Sequence, residues 1–194
     1  MDEKPILFST PMVRAILDGR KTQTRRVIKP QPEIAEVYPW FDFENRCLEW
    51  LGCPPISPRH RCGGTENSPG TTLQGPKLPY SAGDTLWVRE TWVRGLKELG
   101  QQPIYYRADG DDCCTSWKPS IHMPRWAARL FLRVTDVRVE RLQEMDFTDL
   151  EPEGFEPTDE FPTFSSFWDS LNAKRAPWAS NPWVWVYTFE RIES

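Results

Sequence analysis

A short basic segment of this sequence combines residue types that could carry out nucleophilic chemistry. Residues 19–26 read Gly-Arg-Lys-Thr-Gln-Thr-Arg-Arg. Arg20 precedes Lys21, and Arg25 and Arg26 follow closely; like charge lowers the pKa of an amine, and a partly neutral lysine can act as a base. Thr24 supplies a hydroxyl nearby. The same residues are also typical of a solvated basic hairpin, and spacing alone leaves both interpretations open.

Joint action of Lys21 and Thr24 requires a particular backbone around them. Side chains alternate along a strand, so positions 21 and 24 face opposite sides if both lie in one straight strand. Lys21 must therefore belong to a turn that precedes the strand. The sequence predicts such a turn. Ser9 is a suitable capping residue for a helix with Pro11 in its first turn, and Gly19 can take the left-handed conformation that ends this helix. The apolar face of that helix is formed by Met12, Val13, Ile16 and Leu17.

The remaining elements are mostly strands. Alternating or continuous apolar patterns predict strands at residues 5–8, 22–28, 85–92, 104–107, 128–141 and 183–189. The last run is apolar throughout, which predicts a strand buried on both faces. Residues 147–154 favour a short helix, and a firmer helical spacing joins Phe164, Phe167, Trp168 and Leu171. We expect one α+β domain over residues 1–194, built as a small mixed β-barrel with two or three short helices.

Residues 29–80 differ in kind from the rest of the chain. Nine of the 19 prolines lie between positions 29 and 79. Proline interrupts both helices and central strands, so the segment is interpreted as a Pro/Gly-rich irregular insertion, with a hairpin around residues 40–50.

Overall charge limits the kinds of partner. The formal net charge of −4 argues against a protein that coats nucleic acid by bulk attraction, so any nucleic-acid role must rest on a local patch. Besides residues 19–26, a second series of arginines is interpreted as a solvated strand face. Its members are Arg125, Arg129, Arg133, Arg138 and Arg141.

The cysteines raise the question of a metal. Five cysteines, an odd number, do not form a disulfide framework. Cys47, Cys53, His60 and Cys62 lie close enough in sequence to surround a structural zinc ion, although the spacing lacks a Cys-x-x-Cys pair, and incidental thiols in a loop are the alternative. The N-terminus lacks a signal-peptide pattern, and no apolar run is long enough to span a bilayer. We therefore expect a cytoplasmic protein without a membrane partner.

Four segments together carry a resemblance to a known family. They are residues 6–8 (Ile-Leu-Phe), residues 19–26, residues 83–90 (Gly-Asp-Thr-Leu-Trp-Val-Arg-Glu) and residues 189–192 (Phe-Glu-Arg-Ile). They resemble the ASCH family, especially the versions common in bacteriophages and prophages, which would place the protein in the host cytoplasm. The likeness covers most of the chain outside the insertion, and the Gly-Arg-Lys-Thr-x-Thr pattern is its most specific part.

The resemblance implies a fold and a chemistry. It implies a PUA-like β-barrel with a basic cleft for RNA or a modified nucleoside. Small bacterial members with a similar Gly-Arg-Lys-Thr-x-Thr segment are amidohydrolases that act on N4-acetylcytidine with a lysine base, a threonine nucleophile and a glutamate acid, and they require no cofactor. Lys21 and Thr24 match the first two roles, and Glu153 matches the third in a looser Glu-Gly context. The expected substrate-binding residues are Arg20, Arg25, Arg26, Arg89, Glu90 and Trp92.

Two other functions fit the same resemblance. One is a module that binds RNA or a modified nucleotide without chemistry. The other is a ribonuclease, in which the basic segment would position phosphates.

Overall fold

The elements of the fold come from a computed structural model that describes residues 3–31, 37–42, 47–52, 72–95, 103–110 and 116–192. These residues contain two α-helices, α1 (Thr10–Leu17) and α2 (Phe164–Asn172). The strands in the same part of the chain are β1 (Glu3–Leu7), β2 (Gln23–Val27), β3 (Val37–Asp42), β4 (Cys47–Gly52), β5 (Thr72–Lys77), β6 (Thr85–Arg89), β7 (Trp92–Arg94), β8 (Ile104–Tyr106), β9 (Phe131–Arg141) and β10 (Trp183–Ile192).

A five-stranded sheet forms the centre of the protein, in the order β1-β6-β9-β10-β2. Strands β1 and β6 are parallel, and the other neighbours are antiparallel. A separate three-stranded sheet contains β3, β4 and β5, and β7 pairs with β8. The predicted mixed α+β class is confirmed. Within the described residues, neither helix has the length and apolar character needed to cross a membrane.

Strand β10 lies between two cores. Trp183, Trp185, Tyr187 and Phe189 pack into a cluster with residues of β1, α1, β6 and β9. Val184 and Val186, which alternate with them, pack against Leu142, Phe155, Phe164 and Trp168. Successive strand residues point to opposite faces, so a run with no polar alternation is buried on both sides. The prediction of a doubly buried final strand is confirmed, and the cluster that contains Tyr187 is called the large core below.

The central sheet is strongly curled. Phe8 directly follows β1, yet its ring centroid lies 6.1 Å from that of Phe189 on β10, three strands away. In a flat sheet three strand spacings amount to about 14 Å. Arg26 of the opposite edge strand, β2, also donates from Nη2 to the Leu7 carbonyl at 2.7 Å. The two edges therefore approach each other, but no ladder of backbone hydrogen bonds joins them in the described ranges, and a closed barrel stays a prediction.

Several boundaries differ from the predicted ones. The strand predicted at residues 85–92 is divided into β6 and β7, because Glu90 turns inward and its amide donates to Met123 Sδ. Strand β9 begins at Phe131 instead of residue 128, since a short 3-10 turn, Arg125–Ala127, occupies the chain just before it. Residues 147–154 hold only a 3-10 turn at Phe147–Asp149.

The insertion contains more regular structure than predicted. Strands β3 and β4 form the expected hairpin, with Trp40 opposite Glu49. Strand β5 adds a third antiparallel strand that the sequence analysis did not predict, because Gly75 and Pro76 lie within it and both residues are typical of loops.

Candidate active site

The turn after α1 positions Lys21. Gly19 has a φ of +76°, and its amide donates to the Ile16 carbonyl at 3.1 Å. The amides of Arg20 and Lys21 both donate to the Ala15 carbonyl at 2.9 Å. These bonds satisfy the last carbonyls of the helix, as a glycine-terminated helix requires. Lys21 therefore belongs to the turn and not to β2, which is the backbone that joint action with Thr24 requires.

Lys21 is completely enclosed. Its side chain has no exposed surface, and Nζ donates to the Gln23 carbonyl at 2.8 Å and to the Glu153 carbonyl at 2.5 Å. Nζ also lies 3.8 Å from Glu153 Oε1 and 5.6 Å from the centre of the Phe8 ring. Burial lowers the pKa of Lys21 from 10.5 to about 8; the Glu153 charge opposes this change, and Arg26 and Arg25 add to it. The predicted direction is supported, but burial is the larger cause and like charge the smaller.

Residues 152–154 cover the outer edge of β2 and bring Glu153 to Lys21. The amides of Thr22 and Gln23 both donate to the Pro152 carbonyl at 2.8 Å. The next outward amide, that of Arg25, donates to Glu153 Oε1 at 2.9 Å. An uncovered edge strand exposes unpaired backbone amides to which a strand of another chain can bind. Residues 152–154 occupy these amides and so prevent that association. Glu153 thus lies beside Lys21, and one oxygen of its carboxylate accepts from the backbone.

Gly154 gives Lys21 the space that it occupies. Its φ of +71° favours glycine, and a Cβ atom at this position would lie 2.8 Å from the Cβ of Lys21 and 3.0 Å from the Cβ of Ala15. The Glu-Gly pair therefore has two separate tasks: the glutamate bonds to the edge of β2, and the glycine admits the lysine side chain. Sequence analysis used this pair only as a loose context for Glu153.

The two faces of β2 carry different groups. Thr24 lies opposite Tyr187 on β10, and Arg26 lies opposite Trp185. Residues paired across antiparallel strands project from the same face, so Thr24 and Arg26 face the large core. The Arg26 guanidinium lies 5.2 Å from the centre of the Phe8 ring, which Lys21 also approaches. Lys21, Thr24 and Arg26 are therefore gathered on one side of the strand, and Thr24 is only 2% exposed.

Arg25 projects to the opposite face, where three carboxylates lie close to its guanidinium. Its side chain has no exposed surface. Nη2 lies 2.6 Å from Glu140 Oε1 and 2.8 Å from Asp149 Oδ2, and Nη1 lies 3.5 Å from Glu153 Oε2. Arg25 therefore belongs to an ion-pair network that includes Glu153, and its role in substrate binding stays a prediction.

Arg20 lies at the surface of the same region. Its guanidinium pairs with Asp18 at 3.1 Å and with Glu156 at 3.0 Å, and all three side chains are partly exposed. Such pairs exchange readily with solvent and are easily displaced by a ligand.

The other expected binding residues have partners of their own. Glu90 is buried and receives two hydrogen bonds from Arg129, at 3.0 and 3.1 Å. Arg89 donates to the Ile121 carbonyl. Trp92 packs edge-on against Trp126, with ring centroids 5.7 Å apart. No hydrogen bond or ion pair links Arg89, Glu90 or Trp92 to Lys21, Thr24 or Glu153 within the part of the chain that the structure describes.

The second arginine series, predicted as a solvated strand face, is largely paired internally. Four of its members lie within 4 Å of a carboxylate, and the fifth stacks 4.3 Å from the centre of the Trp183 ring. The pairs are Arg125 with Glu3, Arg129 with Glu90 and Asp109, Arg133 with Glu190, and Arg138 with Glu140 and Asp149. Internal pairing weakens the attraction of this surface for a phosphate backbone.

Of the predicted zinc ligands, Cys53, His60 and Cys62 lie outside the described residues, and Cys47 is described only by its backbone in β4. Among the described side chains, no group of three or more His, Cys, Asp or Glu residues is arranged to hold a metal ion.

The fold and the site define an α+β protein with a buried lysine–glutamate pair at the edge strand that carries Thr24. Searches found no family model, curated protein or solved structure that matches this chain. The ASCH resemblance therefore rests on the segments quoted above. The sequence alone did not single out Gly154, which makes room for Lys21, or Tyr187, which lies opposite Thr24. The Glu-Gly pair is a signal for the first, and a tyrosine within the apolar run of β10 is a signal for the second.

Proposed function

We propose that the protein hydrolyses the amide bond of an N4-acylated cytidine or a related acylated base. Lys21 acts as the base, Thr24 as the nucleophile and Glu153 as the acid. The proposal rests on the enclosed amine of Lys21, held beside Glu153 and next to the strand that carries Thr24. A PUA-like cleft, formed where the curled sheet brings Phe8 and Arg26 together, would receive the nucleoside.

The hydrogen bonds of Lys21 suit a base. With a pKa of about 8, about a tenth of this amine is neutral at pH 7. A neutral amine has two hydrogens and one lone pair, and the carbonyls of Gln23 and Glu153 accept both hydrogens. The lone pair is then directed away from these carbonyls and is available to accept a proton. Catalytic bases work best when their pKa lies near the operating pH.

The proposed reaction proceeds through an acyl-enzyme. Lys21 Nζ takes the proton of Thr24 as the threonine oxygen bonds to the acyl carbon, and Arg26 stabilises the negative oxygen. The proton then passes to Glu153, whose Oε1 lies 3.8 Å from Nζ, and from there to the N4 atom as the carbon–nitrogen bond breaks. Water attacks the resulting ester, Lys21 takes a proton from that water, and the threonine oxygen leaves and recovers its hydrogen.

The pattern of paired charges favours a small substrate. Arg25 is enclosed, and most arginines of the second series already have carboxylate partners. Binding of a nucleic-acid backbone depends on cations that can neutralise several phosphates. A single modified nucleoside needs few such contacts, so this pattern supports a nucleoside substrate more than an RNA strand, and it gives the ribonuclease alternative little support.

A binding module without chemistry is the second candidate, and one observation favours it. Lys21 donates to two backbone carbonyls, and Glu153 accepts from the backbone amide of Arg25, so both residues also hold the backbone together. A site could keep these residues for that reason and only bind the nucleoside.

Cytidine release from N4-acetylcytidine, followed by absorbance, tests the proposal. We expect turnover by the wild type and at least a 100-fold loss in Thr24→Val, which removes the hydroxyl and keeps the shape. Thr22→Val is the matched control: Thr22 is exposed and is held by its backbone bonds to Pro152 and Phe189, so activity should stay within about twofold. Absence of wild-type turnover with several acyl groups would refute the enzyme proposal, and nucleoside binding without turnover would support the binding module.

A further inference from the structure

The hydroxyl of Tyr187 is buried without an adequate partner. Tyr187 has no exposed surface, and its Oη makes no hydrogen bond with the described residues. The backbone amide of Tyr80 lies near this oxygen, but an amide N–H can only donate, so the O–H of Tyr187 has no acceptor among them. The nearby Tyr80 provides a contrast, since its own hydroxyl donates to the Pro5 carbonyl at 2.8 Å. Buried hydroxyls in folded proteins nearly always have an acceptor. The unpaired O–H of Tyr187 therefore points to a partner that is not one of these protein atoms.

Tyr187 is placed next to the proposed nucleophile. It lies directly opposite Thr24 in the β2–β10 ladder, and both side chains face the large core. Directly opposed residues have Cβ atoms about 4.5–5.5 Å apart, and the tyrosine ring carries its hydroxyl several ångströms farther from the strand. Arg26 projects from the same face of β2 as Thr24, and its charge acts on both Tyr80 and Tyr187.

We infer that the Tyr187 hydroxyl donates a hydrogen bond to the acyl oxygen of the substrate and thereby makes the site selective for a carbonyl-bearing substituent on the base. This inference rests on the proposed function and extends it to a residue and a chemical group. An N-alkylated base of similar size lacks the acceptor and leaves the hydroxyl unpaired. Enzyme sites built to hydrogen-bond one substrate group reject analogues that lack it for this reason.

This arrangement limits the distance between the two hydroxyls. A nucleophile lies about 3 Å from the carbonyl carbon, the C=O bond adds about 1.2 Å, and a hydroxyl donor lies about 2.8 Å beyond the oxygen. Because the approach is bent at both the carbon and the oxygen, the hydroxyls of Thr24 and Tyr187 must be separated by roughly 6 Å or less in the complex. Burial raises the pKa of Tyr187, so the phenol keeps its proton at neutral pH and acts as a donor.

Two tyrosine variants test the inference through turnover. Tyr187→Phe removes the hydroxyl but keeps the ring that packs against Tyr80. With N4-acetylcytidine we expect kcat to fall about 100-fold, because a donor to the developing oxyanion acts mainly in the transition state. Tyr80→Phe is the matched control and should change kcat by less than about threefold. Thermal unfolding of Tyr187→Phe should show no decrease in Tm, which separates loss of the donor from loss of the fold.

A binding measurement separates this inference from the proposed catalysis. In a Thr24→Val background, which cannot form the acyl-enzyme, N4-acetylcytidine should bind at least tenfold more tightly than N4-methylcytidine by calorimetry. Adding Tyr187→Phe should abolish that preference. If the wild type turns over but Tyr187→Phe retains kcat and preference, a buried water is the only partner of the hydroxyl and the inference is wrong, while the proposed function stands.

The remaining outcomes are also decisive. A wild type without turnover, combined with an acetyl preference that depends on Tyr187, would refute catalysis and support the inference. If neither nucleoside binds, both proposals are overturned.

Discussion

The enclosed ammonium of Lys21 should make the stability of the protein depend on pH. The folded pKa is about 8, while the unfolded chain has the ordinary value of 10.5. Between these pH values the unfolded chain binds more protons than the folded one, so the free energy of unfolding rises as pH increases through this window. The difference between the two pKa values corresponds to about 3 kcal/mol. Below pH 8 the full cost of burying the charge is present, and above pH 10.5 it is absent.

Comparison of the wild type with Lys21→Met isolates this contribution. Methionine fills a similar space without charge, so the variant should show no such gain between pH 8 and pH 10.5. Urea unfolding at a series of pH values from 7 to 10.5 gives the difference between the two proteins. At pH 7 the variant should be inactive and less stable than the wild type, because it leaves the buried carbonyls of Gln23 and Glu153 without their donor and the Glu153 carboxylate without the Lys21 charge.

A control and a second measurement make the prediction refutable. Lys174→Met removes an exposed lysine and should give a curve parallel to the wild type. In the wild type, kcat/KM should rise about tenfold from pH 7 to pH 9, because the neutral fraction of an amine with this pKa rises by that factor. If the wild-type and Lys21→Met unfolding curves run parallel over the whole range, burial does not lower the pKa of Lys21 and the reasoning fails.

Two further changes test the surroundings of Lys21 by urea unfolding and turnover. Gly154→Ala sets a methyl group 2.8 Å from the Lys21 Cβ at a φ of +71°, so we expect a loss of about 2–3 kcal/mol and of activity. Gly19→Ala, at +76° in open space, should lose only about 1 kcal/mol and stay active; equal losses would show that the contact is unimportant. Arg25→Leu removes the buried guanidinium that Glu140, Asp149 and Glu153 share and should cost about 3–5 kcal/mol at pH 7. The loss should be smaller at acidic pH, because Asp149, whose pKa is lowered by the Arg25 charge in spite of burial, then takes up a proton. Arg20→Leu removes exposed pairs, so a loss above about 1 kcal/mol would contradict this view.

Local signals explain the parts of the fold that the sequence predicted. The end of α1 at Gly19 depends on one residue that accepts a positive φ, and the position of Lys21 in the following turn depends on that end. The burial of β10 on both faces depends on an uninterrupted apolar run. Each of these features involves neighbours along the chain, so residue order was sufficient. Ser9 marks the start of α1 correctly, although its side chain makes no capping bond.

The parts that the sequence did not predict depend on partners far away along the chain. Arg25 is neutralised by Glu140, Asp149 and Glu153, which are all more than 100 positions away. A run of arginines in a sequence shows charge but not the carboxylates that will surround it. The lowered pKa of Lys21 has the same origin, since burial, its main cause, is created by Gly154 and the large core and not by the adjacent arginines.

The alternation of β2 decides which charges in residues 19–26 lie on the same face as Thr24, the proposed nucleophile. Thr24 and Arg26 face Tyr187 and the large core, while Arg25, between them, faces the carboxylates. A shift of one residue in the pairing with β10 would exchange these faces, placing a guanidinium beside Tyr187 and the threonine hydroxyl among acidic groups. Lys21 is not subject to this alternation, because it lies in the turn between α1 and β2. Residues 19–26 are therefore divided between two faces of the sheet, and the density of charge in the sequence does not show which of them lie beside Thr24.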